Sequence, residues 1–289
     1  MKSWREYPFQ ATADFPFSFA RRTRKKGLIP ASGVHWHPEL EILYMQTGRV
    51  EIHSSKHTFP LLPGQIAFIP AGEVHAVYGL DDAGAYDVML FSLDLLTMPE
   101  SHFFQQELIL PMQSEQLRFP RLLTCEDDAY PSVRLAFEQV RNCPRESSLY
   151  KLTAFTSLIQ IFCALSPRLE RVSDDAPPKG NETVKACLRF MDTHYARRLT
   201  LREIADQVHL HPNYLCSLFK DYTGHTVFQH LIRIRVEKAA QLLSTQDITV
   251  TAAAAACGFD NTGFFTRKFR AIMGVTPKQF SILQQKERT

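Results

Sequence analysis

Residues 33–48 read Gly-Val-His-Trp-His-Pro-Glu-Leu-Glu-Ile-Leu-Tyr-Met-Gln-Thr-Gly, and residues 64–75 run from Gly64 to His75. Imidazole and carboxylate groups are common ligands of divalent metals and common polar contacts in ligand pockets. In an extended chain, residues two apart point to the same face. His35 and His37 are therefore expected to aim together, with Glu41 joining from the same or the following strand. His75, after the Pro70-Ala71-Gly72 turn, supplies a fourth group. Three imidazoles and one carboxylate suit Zn, Fe, Mn or Ni. Three uses stay open. The set could bind a metal that helps hold or sense an effector, or hydrogen-bond a polar effector directly, such as a sugar, or consist of satisfied histidines in a barrel. No cofactor is required by the sequence. Trp36 and Tyr44 could stack on a sugar ring.

The elements that must position these groups read as β. Short apolar segments at Glu41–Met45, Val50–His53, Gln65–Ile69 and Val88–Leu93 are separated by turns such as Thr47-Gly48 and Pro63-Gly64. Many short, closely spaced strands suggest a barrel or jelly roll. From about Ser132 the apolar spacing becomes helical: Val133, Ala136, Phe137 and Val140, then Leu149, Leu152, Phe155, Leu158, Ile159, Phe162 and Leu165. The second stripe is wide enough to be core or a dimerisation helix. A stretch with Pro177, Pro178, Gly180 and small polar residues then reads as a linker.

The chain has 289 residues, with 45% hydrophobic and 22% charged, which suits two modest globular domains. No stretch approaches the roughly 20 apolar residues of a membrane helix. The opening Met1-Lys2-Ser3-Trp4 has no apolar run behind it, so a cytoplasmic location is expected. Of the six cysteines no two have C-x-x-C spacing, which argues for free thiols and against a zinc ribbon. The net charge of +3 is uneven: residues 182–289 hold 15 Lys and Arg against 9 Asp and Glu. That excess favours a polyanionic partner for the C-terminal end.

There the chain reads as two short helix pairs. In the first, Leu201, Ile204, Ala205 and Val208 mark one helix face. Pro212 suits the first turn of the next helix, and Tyr214, Leu215, Leu218 and Phe219 form its expected buried stripe. In the second, Val250, Ala253 and Ala254 begin a helix inside the run Ala252–Ala256. Gly258 suits a left-handed stop, Thr262 an N-cap, and Phe264, Phe265 and Phe269 a buried stripe. Between them a long helix from about Val227 to Leu243 carries Phe228, Leu231, Ile232, Val236, Ala239, Leu242 and Leu243. A rigid connector would hold two recognition helices at one spacing along DNA.

Residues 182–280 resemble the DNA-binding domain of the AraC/XylS regulators. The resemblance is carried by Ile204-Ala205, Tyr214-Leu215, Leu218-Phe219-Lys220, Gly224, Arg235, Ala239, Leu242-Leu243, Gly258-Phe259, Phe264-Phe265, Arg267, Phe269, Gly274 and Thr276-Pro277. Ser217 stands where an arginine is frequent, and His211, Ala252 and Ser281 also depart from the pattern. The resemblance implies that His211, Asn213, Cys216 and Ser217 face one major groove and Gly263, Thr266, Arg267 and Arg270 the next, with Lys220 and Lys268 on phosphates. Asn213 can pair both ways with adenine and Arg267 with guanine. His35, His37, Glu41 and Gly48, then Gly64, Pro70, Gly72 and His75, resemble the two cupin motifs, with Gly79 in place of a usual asparagine.

The expected architecture is α+β. A cupin-like effector-binding barrel of jelly-roll type spans 1–105. A helical region at 106–170 is a candidate for dimerisation, 171–181 is a linker, and an all-α domain with two helix-turn-helix units spans 182–285. The resemblance implies a homodimeric transcription activator, binding double-stranded DNA, contacting RNA polymerase and controlled by a carbohydrate effector. The alternative is a metal-dependent cupin dioxygenase or isomerase fused to a DNA-binding domain.

Overall fold

The computed structural model describes residues 15–24, 33–172 and 179–288; of the expected linker, residues 173–178 lie outside the described residues. Seven strands come first: β1 (Phe17–Arg24), β2 (Leu40–Thr47), β3 (Val50–Ser54), β4 (His57–Leu61), β5 (Ile66–Ile69), β6 (His75–Gly79) and β7 (Gly84–Phe91). After them lie α1 (Leu110–Gln113), β8 (Leu117–Arg118), β9 (Leu122–Leu123), α2 (Tyr130–Asn142), α3 (Tyr150–Leu165) and β10 (Glu170–Arg171). One antiparallel sheet has the order β1-β7-β2-β5-β9, a second has β4-β3-β6, and β8 and β10 pair separately.

The two-residue period of the strands divides the sensor into two cores. Leu43, Met45, Ala67, Ile69, Val88 and Leu90 cluster with Val50, Ile52, Leu61 and Val77 of the second sheet. Their neighbours in sequence, Ile42, Tyr44, Ile66, Phe68, Met89 and Phe91, cluster instead with α2 and α3. Phe137 of α2 is fully buried there, edge-on to Tyr44 at 5.6 Å and to Phe19 at 6.4 Å. Tyr44 is therefore part of the sheet–helix core and cannot stack on a ligand beside Glu41.

The segment expected to be helical between 106 and 170 also carries an edge strand. Leu122 and Leu123 pair β9 with β5, because adjacent leucines serve both faces of the sheet: Leu123 enters the helix-side core and Leu122 packs on the inter-sheet core. On α3 the buried side is Ala154, Ser157, Leu158, Ile161, Phe162 and Leu165. Leu149 and Leu152 fall off that face and are exposed.

Seven helices follow: α4 (Lys179–His194), α5 (Leu201–Gln207), α6 (Pro212–Thr223), α7 (Val227–Thr245), α8 (Val250–Ala256), α9 (Thr262–Met273) and α10 (Pro277–Arg288). Their starts are coded locally. Thr200 with Glu203 and Thr226 with Gln229 form capping boxes on α5 and α7, and Thr249 caps α8. Asn261, rather than Thr262, caps α9, since its Oδ1 accepts the Phe264 N–H at 2.7 Å. The long helix α7 is shared: Val227, Leu231 and Ile234 enter the first unit's core, while Val236, Ala239, Ala240 and Leu243 enter the second's. Tyr214 and Phe228 are exposed, not buried as the stripes suggested; each lies beside the buried arc of its helix. Cys187 and Cys257 are core thiols, and burial pushes them up to about 12 and about 11 respectively, so they stay protonated and inert.

The two units meet at the turn after α4. Arg235 of α7 donates to the carbonyls of Tyr195 and Arg197, both at 2.8 Å. Gly258 sits against the same turn with φ +77°, and a Cβ there would stand 2.7 Å from the Ala196 oxygen and 2.9 Å from the Tyr195 oxygen. Gly258→Ala is expected to lower stability by about 2 kcal/mol, read as a lower urea midpoint of the helical half by far-UV circular dichroism. An unchanged midpoint would mean that the turn relaxes freely.

Candidate functional site

His35, His37, Glu41 and His75 come together at one end of the space between the sheets, all buried, with one ligand-type atom from each within 4.8 Å of every other. His35 and His75 form an antiparallel bridge, each N–H donating to the other's carbonyl at 2.9 Å. His37 lies in the approach to β2, Glu41 is on β2, and His75 begins β6. Each imidazole is turned by its own neighbourhood: Nδ1 of His35 donates to Gly33 O (2.7 Å), of His37 to Glu39 O (2.9 Å) and of His75 to Glu73 O (2.8 Å). A carbonyl only accepts, so these contacts place a proton on Nδ1. Nε2 of His37 and of His75 then stand 3.1 Å and 2.9 Å from the same Glu41 oxygen, Oε2.

The electrostatics follow this arrangement. Burial opposes the Glu41 charge, but hydrogen bonds from His37 and His75 outweigh it and hold the carboxyl well below the usual carboxylate range. Burial lowers His75, yet the Glu41 carboxylate more than compensates and raises it. His35 is held well below the ordinary histidine value by burial and by the His75 and His37 rings. Behind His75, Glu73 is fixed by Arg121, at 2.8 Å and 3.3 Å, and by the Ser54 hydroxyl.

Trp36 does not join this group. Lying between two inward histidines, it points outward onto α4, where Lys185 Nζ is 4.7 Å and Arg189 4.9 Å from its ring. That contact belongs to an interface between the sensor and the first helix-turn-helix unit, which local sequence reading misses. Asn181 of α4 accepts from Val74 N–H (3.0 Å) and donates to Gly72 O (3.1 Å). Tyr78 of β6 donates its hydroxyl proton to Thr223 O at 2.8 Å, and its ring lies between those of His53 and His225. Val34, Val74 and Ala76 enter the hydrophobic core of the first unit. The hydrogen-bonded partners are more than 100 residues apart, so periodicity carries no trace of them.

The surface expected to meet DNA is open. On α6, Asn213, Cys216, Ser217 and Lys220 are exposed, and so is His211, whose Nδ1 accepts the Asn213 N–H at 3.3 Å as the helix cap. On α9, Gly263, Arg267 and Arg270 are exposed. Thr266 is half-buried and donates its hydroxyl proton to Thr262 O at 2.9 Å, and Lys268 lies over the Phe264 ring at 5.5 Å. Among the described residues Arg267 and Arg270 make no ion pair, which leaves both guanidinium groups free for a partner.

A helix-turn-helix domain family model matches residues 204–281, and that of the AraC-like ligand binding domain matches residues 30–98. The chain belongs to the AraC family of transcription regulators. It is similar to the uncharacterized HTH-type transcriptional regulator YobQ of Bacillus subtilis, 33% identical over 95 residues, covering 33% of this chain and 39% of that protein. It is also similar to YdeC, an uncharacterized HTH-type transcriptional regulator of the same species, 20% identical over 276 residues, 93% of this chain and 92% of that protein. The Arabinose operon regulatory protein of Salmonella typhimurium is 25% identical over 236 residues, 81% of this chain and 80% of that protein. The chain spans 30–39% of the length of three relatives matched at 33% identity. Membership places this AraC-family chain among regulators rather than metal-dependent dioxygenases or isomerases. Among its described residues no helix is long and apolar enough to cross a membrane.

If Arg267 reads a base, Arg267→Ala costs about 1–3 kcal/mol on the preferred site and relaxes sequence choice at one position. Competition binding against single-base variants of that site measures this. An equal loss on every sequence would assign Arg267 to a phosphate.

Proposed function

We propose that this AraC-family chain is a sequence-specific transcription regulator that engages double-stranded DNA through α6 and α9 under the control of a small effector at the sensor. The observation that carries the reading is the tandem exposure of two faces, on α6 and α9, whose units share the helix α7, with the sensor seated on the first unit away from its exposed face. A rigid connector phases the two faces, as reading of successive major grooves demands. A sensor packed directly on the first unit provides the physical route by which effector binding and DNA binding share a coupling free energy.

The finer readings have separate supports. The family resemblance favours activation, contact with RNA polymerase and work in the cytoplasm. Exposed Leu135 on α2 and Leu152 on α3, with Leu149 just before it, favour a homodimer formed through the helical layer. Similarity to the Arabinose operon regulatory protein favours a carbohydrate effector. Trp36 and Tyr44, the aromatic residues flanking the histidine–glutamate group in sequence, are engaged elsewhere, on α4 and α2.

Selection of a randomised duplex library on the full-length protein tests the reading. Enrichment of a motif with two half-sites about one helical turn apart is expected. Absence of any enriched motif would overturn sequence-specific binding. Adding a panel of pentoses and hexoses should shift affinity for the selected duplex by about fivefold or more. No shift with any of them would remove the carbohydrate while leaving the DNA reading intact.

A further inference from the structure

We propose that His35, His37, Glu41 and His75 hold one divalent first-row transition ion, and that this ion stabilises the docking of the first helix-turn-helix unit on the sensor. The second half of the proposal rests on the regulator reading above; the first half does not.

The donor geometry favours an ion over protons. With Nδ1 of each ring donating to a backbone carbonyl, a neutral imidazole offers a lone pair at Nε2, the arrangement that outer hydrogen bonds impose on metal-ligating histidines. Two such lone pairs face one carboxylate oxygen at 2.9 Å and 3.1 Å. Each of these two contacts sets a ring lone pair against a carboxylate oxygen inside a buried site, with the His37 and His75 ring centroids 4.9 Å apart. A single cation among the four donors removes both conflicts at once. Two ligands at 90° about an ion, each about 2.1 Å away, are separated by about 3.0 Å, which matches both contacts. Three nitrogens and one oxygen select Zn, Fe, Ni or Mn over Ca or Mg, which prefer oxygen cages.

The same two segments carry the docking contacts. Inward His35 and His37 bracket outward Trp36, which Lys185 and Arg189 cover. Inward His75 follows Val74, which enters the first unit's core and donates to Asn181. Gly72 N–H donates to His37 O at 2.8 Å, and Gly72 O accepts from Asn181. An ion shared by His35, His37 and His75 clamps the 35–37 segment to the 72–75 loop, and with them the surface that α4 grips. The interface is also easily tipped: the buried Trp36 Nε1 and Tyr222 hydroxyl have no hydrogen-bond partner among the described residues, a cost against docking.

The test uses full-length protein without a polyhistidine tag, carrying Trp4→Phe so that Trp36 is its only tryptophan. It is stripped with a chelator and titrated in turn with Zn(II), Ni(II), Mn(II) and anaerobic Fe(II). The expected result is one ion per chain by elemental analysis, retained through desalting, with less than a tenth of that in Glu41→Gln. If Glu41→Gln fails to fold, His37→Gln replaces it. Metal should change Trp36 emission and shift affinity for the selected duplex about fivefold or more. Without the Trp4 change, Trp36→Ala should keep the ion but lose the affinity shift. No ion retained by the parent overturns the site. An ion retained with emission and affinity both unmoved overturns the coupling. Failure to bind any selected duplex, with or without metal, overturns the regulator reading, and the ion count still decides the metal site.

Discussion

His35 and His75 exchange two backbone hydrogen bonds, and the sensor's chemistry depends on that exchange. The bridge joins a segment that precedes β2 to a loop that precedes β6, parts of the chain 40 residues apart. An extended pair alternates its side chains, so the bridge fixes two surfaces at once. Inward go the imidazoles, toward Glu41; outward go Trp36, Val74 and the Gly72 carbonyl, toward α4. A shift of the backbone at this bridge therefore moves the inner and outer surfaces together.

That constraint also explains which parts of the molecule were legible in the sequence. The His-x-His pair, Glu41 and His75 could be assembled from period two and one turn, and the two helix-turn-helix units from period 3.6, their caps and Gly258. The same parity argument already separated Tyr44 from Glu41, three residues apart on β2 and hence on opposite faces, and Trp36 from the histidines on either side of it. Aromatic character suits Trp36 and Tyr44 to a sugar ring, but parity turns both away from Glu41. Tyr214 and Phe228 show a different limit. A helical stripe tells which arc is apolar, but the burial of its edge residues depends on what packs against them.

The docking of the sensor on the first unit left no local mark. Asn181 falls where the sequence reads as linker, with little to bury, yet its amide satisfies a donor and an acceptor on the 72–74 loop. Tyr78 reads as one more strand aromatic, yet its hydroxyl reaches Thr223. Such contacts pair complementary polar groups across more than 100 residues, and only the fold brings them together. β9 is silent in the sequence for a related reason. Two leucines are too short a run to signal a strand, and the edge of β5 supplies the rest.

The two DNA-facing units differ in what they offer and in what touches them. Among the described residues the sensor contributes to the first unit's core and not to the second's. The first unit also offers fewer groups for reading bases: Ser217 stands where the resemblance leads one to expect an arginine, and Lys220 is the one cation among its candidate contacts. Among the described residues the second unit presents Arg267 and Arg270 free of ion pairs, so on the proposed reading it supplies anchoring contacts whatever the state of the sensor. On the proposed reading, affinity divides into a constant part from α9 and an adjustable part from α6. A weak reader is the effective place for control, since a coupling of about 1–3 kcal/mol is decisive against a small binding energy and lost against a large one. α7 makes the division workable. Its two halves enter both cores, and Arg235 ties it to the turn where the units meet, so on that reading a shift of α6 would change its fit to DNA relative to α9.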